Sequence, residues 1–138
     1  MKTLRSLSFA LMFLLGGLLG PAPHASANTV DSSAYLYYGL TYQGYANFYA
    51  SMGNPYYAYV YEDAAQSYFG AAYAYGTATP GYYAYNAYLY ASYARDYWYL
   101  AYLYGMYTPD LYGYYASAYA TAAQEQAAYA FYLSALGY

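Results

Sequence analysis

Beyond residue 27 the chain carries seven charged side chains: Asp31, Glu62, Asp63, Asp96, Asp110, Glu125 and the single base Arg95. Paired carboxylates can move a proton or hold a hard cation. The adjacent pair Glu62-Asp63 suits neither role, because neighbours on a helix diverge by about 100° and cannot share one small site. Cysteine is absent, and His24 and Lys2 both fall in the first segment. The rest of the chain therefore offers no imidazole base, no thiolate, no Schiff-base amine and no zinc site of the usual kind. It also has no glycine-rich phosphate loop. Arg95 alone cannot neutralise a phosphate backbone or an anionic lipid surface, which argues against nucleic acid and lipid as partners. The expectation is a non-enzyme without catalytic, cofactor or metal residues.

What the chain does have is phenol, with 31 tyrosines among 138 residues, all of them after residue 27. A small domain cannot bury that many, since each hydroxyl taken inside needs a partner or costs about 1–3 kcal/mol. Tyrosine joins an apolar ring to a wet hydroxyl, which makes it an interface residue. Tyr56, Tyr59, Tyr73, Tyr82, Tyr85 and Tyr99 fall away from the predicted core and are the candidates for association or cross-linking.

The elements that place these residues follow from the spacing. Tyr83, Asn86, Tyr90, Tyr93, Tyr97, Leu100, Tyr104 and Tyr107 keep a 3-4-3-4 rhythm. Beside them Ala84, Ala87, Ala91, Ala94, Trp98, Ala101 and Gly105 keep the same rhythm, nearly all of them small. Strands have no reason to sort large from small residues every seven positions, whereas packed helices do. Tyr35, Tyr38, Tyr42, Tyr45 and Tyr49 form a stripe beside the small row Gly39, Gln43, Ala46, Ala50 and Gly53. Tyr61, Tyr68 and Tyr75 recur at seven beside Val60, Ala64, Ser67, Ala71, Ala74 and Ala78. The last small row runs Gly113, Ala116, Ala120, Ala123, Ala127, Ala130, Ser134 and Gly137. Alanine supplies the helix propensity that tyrosine lacks.

Asp31-Ser32-Ser33, Asn54-Pro55, Thr79-Pro80 and Thr108-Pro109 read as helix starts, and Gly53, Gly76 and Gly137 as stops. The spacing predicts helices over 33–52, 55–76, 80–107 and 109–136. Their short connections imply an all-α, antiparallel four-helix up-down bundle with Tyr/Ala heptad stripes. On the helical wheel, Glu62, Asp63 and Gln66 fall opposite the face of Tyr57, Ala64 and Ala71. Together with Gln43, Arg95-Asp96 and Gln124-Glu125 they suggest a solvated belt at mid-height, with Arg95 pairing Glu62 or Asp63. Disorder is disfavoured because aromatics make up 27% of the chain and charges only 7%. Mid-helix charges argue against membrane spans. The alternation that a β stack requires never runs far before it breaks register.

Residues 1–27 read as a cleaved secretory signal. Lys2 and Arg5 precede a short apolar run, and Ala25-Ser26-Ala27 presents small residues to a signal peptidase, with cleavage between Ala27 and Asn28. Residues 28–138 then form one domain, secreted or held in the periplasm or at the cell surface. The expected function is structural or adhesive: self-association, or attachment to a cell-wall or matrix polymer, through surface tyrosines that oxidation can couple. Two alternatives are an aromatic module binding polysaccharide, polyphenol or peptide, and a redox protein built on Trp98 with Tyr97 and Tyr99.

Overall fold

The computed structural model describes residues 27–105 and 111–138, with side chains from residue 32 onward. The predicted signal segment before Ala27, the Thr108-Pro109 start and Asp110 lie outside the described residues. The fold is all-helical, with α1 at Ala27–Ser51, α2 at Pro55–Tyr75, α3 at Ala78–Tyr104 and α4 at Leu111–Ala135. Among the described residues there is no strand. No helix among the described residues is long and apolar enough to cross a membrane.

Local chemistry explains most of the boundaries. The α1 C-terminus closes with Gly53 in the left-handed region, at φ 74°. Gly53 N–H donates to Ala50 O and Asn54 N–H to Tyr49 O, which satisfies carbonyls that the helix end leaves open. Asn54 Oδ1 then accepts from Tyr57 N–H at 3.1 Å and Pro55 takes the first helical position, so one short turn ends α1 and starts α2. Gly137, at φ 88°, closes α4 in the same manner.

Two predicted starts differ. The helix α1 already covers Ala27, so Asp31-Ser32-Ser33 lies within it and is not its cap. Ser32 is buried instead, its hydroxyl donating to Ala72 O on α2 at 3.0 Å. The N-cap of α3 is Thr77, not Thr79, and Pro80 is the third helical residue. Proline is tolerated there because the first four N–H groups of a helix have no intrahelical acceptor to lose.

Consecutive helices pack together and α1 also packs on α4, whereas α2 barely touches α4. The core is built from the small rows. Leu36, Ala65, Phe69, Ala72, Ala84, Ala87, Ala91, Ala123, Ala127 and Ala130 form the larger cluster, and Ala58, Trp98, Ala101 and Ala116 the smaller one. Alanine seams bring backbones close, and the few large core residues need matching space. Phe69 finds it against Gly39, where an added Cβ would collide with the ring. The expected row of α2 is the one that fails. Val60, Ser67 and Ala74 are exposed, Tyr57 is exposed too, and the buried face is Ala58, Glu62, Ala65, Phe69 and Ala72. Small residues occur on both sides of α2, so size alone misplaces its inner face.

Candidate functional site

The corrected face of α2 turns part of the predicted outer belt inward. Glu62 and Gln43 are both fully buried, and Gln66 nearly so. Gln43 Nε2 donates to Glu62 Oε1 at 2.8 Å and to Ala120 O at 3.1 Å, tying α1 to α2 and α4. Burial pushes the Glu62 carboxyl up to about 8, partly offset by the Gln43 hydrogen bond. At neutral pH Glu62 is therefore a neutral acid, since an unpaired carboxylate in a dry interior is far costlier than its protonated form. Gln43 Oε1 and Glu62 Oε2 have no protein partner. With no exposed surface, Glu62 fastens α1 to α2 from the inside.

Asp63, the next residue, diverges outward as the helical geometry requires, with its side chain about half exposed at 51%. Arg95 on α3 reaches across to Asp63 Oδ1 at 3.3 Å, as one of the two predicted pairings has it. Its other partners are Asp96 Oδ1, at 3.0 Å, and Gln66 Oε1. The exposed pair with Asp63 is worth at most about 1 kcal/mol. Asp63, Arg95 and Asp96 thus form a clasp on the outside of the α2/α3 seam, and Glu125 on α4 is exposed as the belt requires, whereas Gln43, Glu62 and Gln66 have left the belt for the interior. No group of metal-ligating residues occurs among the described residues.

The tyrosines line the seams between helices. Across α1/α2, Tyr35 meets Tyr75 at 5.6 Å between ring centroids, Tyr42 meets Tyr68 at 5.3 Å and Tyr49 meets Tyr61 at 5.3 Å. Across α3/α4, Tyr83 meets Tyr129 at 4.6 Å and Tyr97 meets Tyr119 at 5.7 Å. The α2/α3 seam carries the sequence candidates in two patches, one on either side of the Arg95 clasp. In the first, Tyr56 lies 5.1 Å from Tyr102 and Tyr59 lies 5.1 Å from Tyr99. In the second, Tyr73 lies 5.1 Å from Tyr85, and both line a shallow recess with Tyr82. Tyr56, Tyr73, Tyr82, Tyr85 and Tyr99 are exposed. Tyr59 is half-buried and leans on the smaller core cluster, so it does not point fully away from the core.

Sequence reasoning missed the Gln43–Glu62 fastener. Its one signal was a glutamine standing in the small row of α1, where an inward-facing amide needs a polar partner from another helix. Comparison with protein-family models, curated proteins and solved structures finds no match for this chain.

Proposed function

We propose that the four helices form an antiparallel up-down bundle, and that this bundle is an exported, non-enzymatic structural or adhesive protein. Its copies join through the tyrosines of the α2/α3 face. The topology is supported by linkers of only residues 52–54 and 76–77, and by ring pairs that run in opposite senses along neighbouring helices. The segment before Asn28, with its basic start, apolar run and small-residue end, supports export.

One observation carries the association reading: along the α2/α3 seam, exposed rings gather into two patches, Tyr56, Tyr99 and Tyr102 in one and Tyr73, Tyr82 and Tyr85 in the other. Gathered rings offer continuous apolar area ringed by hydroxyls, the composition of an interface that stays soluble when unoccupied. Under a one-electron oxidant, rings brought together from two copies couple and harden the contact. The recess beside Tyr73, Tyr82 and Tyr85 favours a second reading, an aromatic module that stacks on a polysaccharide.

Replacing Tyr59, Tyr73, Tyr85 and Tyr99 together by glutamine tests the first reading. Sedimentation velocity should show reversible association of the native protein and its loss in the variant, with helix content largely kept. Association that survives all four changes moves the contact elsewhere. A native protein that stays monomeric yet binds a polysaccharide resin through Tyr73, Tyr82 or Tyr85 supports the binding module instead.

A further inference from the structure

The heptad rows Tyr35-Tyr42-Tyr49 and Tyr61-Tyr68-Tyr75 face each other across α1/α2, away from the α2/α3 patches. Two of the pairs are nearly parallel stacks: Tyr42 on Tyr68 with 10° between planes, and Tyr49 on Tyr61 with 4°. All four rings are half-buried, so one side stays open to solvent and to an oxidant. Their phenolic ends are also neighbours. The Tyr61 hydroxyl is pushed above its ordinary pKa, first by charge on Tyr49, then by loss of water and by a hydrogen bond to Tyr49. The Tyr68 hydroxyl is raised first by loss of water, then by charge on Tyr42 and a hydrogen bond to it. Each stack therefore brings two phenol hydroxyls within reach of each other on nearly parallel rings.

We propose that Tyr42–Tyr68 and Tyr49–Tyr61 are sites of intramolecular oxidative coupling that staple α1 to α2 through dityrosine. The oxidant is a peroxidase haem fed by hydrogen peroxide. Each phenol gives one electron to the oxidised haem and its hydroxyl proton to water, leaving a phenoxyl radical with spin on the oxygen and the ortho carbons. Two such radicals pair their electrons in a new bond between ortho carbons. The hydrogens on those carbons then move to the oxygens, and both rings become phenols again. In total, two tyrosines and one hydrogen peroxide give one dityrosine and two waters.

Stacking matters because the bond forms between orbitals that stand perpendicular to the rings, and facing planes let them overlap. Edge-on neighbours such as Tyr82 and Tyr83, with 83° between planes, do not offer that overlap. Tyr97 and Tyr119 are also parallel, but they lie farther apart, at 5.7 Å. They rank behind the two α1/α2 stacks. A partner already held in place replaces a chance meeting between two molecules, which gives the intramolecular product its advantage.

The inference rests on the phenols being oxidisable, as in the proposed function, and not on self-association. The test is to oxidise the full chain with a haem peroxidase and hydrogen peroxide, at a dilution where light scattering shows monomer, and to digest the monomer before Asp31, Asp63 and Asp96. The Tyr42–Tyr68 link joins the peptide beginning at Asp31 to the one beginning at Asp63, with the loss of two hydrogens. The Tyr49–Tyr61 link appears as the same mass loss inside the first peptide. Tyr42→Phe with Tyr49→Phe keeps the rings but removes the phenols, and both products should vanish while helix content stays. Dityrosine found only in oligomers, or only on other seams, or undiminished in the double variant, overturns the proposal. A linked monomer that never associates before oxidation leaves this inference standing and removes the association reading. Association without any linked monomer does the reverse.

Discussion

Glu62 shows how one residue ties the interior to pH. Its folded pKa, about 8, lies above the ordinary carboxyl value of 4.5, so between those values the folded state keeps a proton that the unfolded chain has released. Stability is then fully present below about pH 4.5, falls as pH rises through that window and levels off above about pH 8. The drop is on the order of 3–5 kcal/mol, at about 1.4 kcal/mol per pKa unit. Urea midpoints measured from pH 5 to 9 should fall accordingly for the native protein. In Glu62→Gln, which cannot ionise, the curve should lose this component, leaving the variant the more stable of the two at pH 8 and above. Parallel curves for the two proteins would place Glu62 in contact with water. Gln43→Ala removes the hydrogen bond to Glu62 and the one to Ala120 O, and should cost about 1–3 kcal/mol at neutral pH.

At the scale of the helix, the small row is the packing surface. Ala120 and Ala127 of α4 are buried, and Ala118 is exposed on the same helix. Leucine at either buried position should destabilise by about 1–3 kcal/mol, and leucine at Ala118 should be tolerated. Equal chemical-denaturation midpoints for all three variants would mean that α4 packs by another face. Gly39→Ala belongs to the same logic, because its Cβ would meet the Phe69 ring across α1/α2. It is expected to cost stability even though alanine is the better helix former. A gain in midpoint would show that the ring shifts freely.

For the whole molecule, the mismatch is between many phenols and few charges. Association through rings should depend little on ionic strength, because screening weakens contacts between charges and leaves apolar burial intact. Light scattering at low and at high salt should give similar midpoints of association. A steep loss with salt would instead assign the contact to the Arg95, Asp63 and Asp96 clasp. Half-buried rings also explain how so aromatic a chain folds with an alanine core. Tyr35, Tyr42, Tyr83, Tyr88 and Tyr90 lie partly buried over the main cluster. Their ring bodies supply apolar burial that alanine alone lacks, while the hydroxyl end can remain in water.

The sequence by itself determined that the described residues form four helices, together with the ends at Gly53, Asn54-Pro55, Gly76 and Gly137. A seven-residue alternation of large and small side chains is a local pattern that only a helix can use, and Asn54-Pro55 caps and starts α2 through contacts within a few residues. It also set out both tyrosine rows of the α1/α2 seam, although nothing local says that Tyr42 stacks on Tyr68. Tertiary structure decided which side of α2 faces inward. Both of its sides carry small residues, and only packing of Phe69 against Gly39 and bonding of Glu62 to Gln43 separates them. The same packing drew Glu62 out of the predicted belt into the interior and left Asp63 to the α2/α3 clasp. A carboxylate looks solvated to any reading of the chain alone, because its acceptable burial depends on an amide contributed by a helix nineteen residues away in sequence.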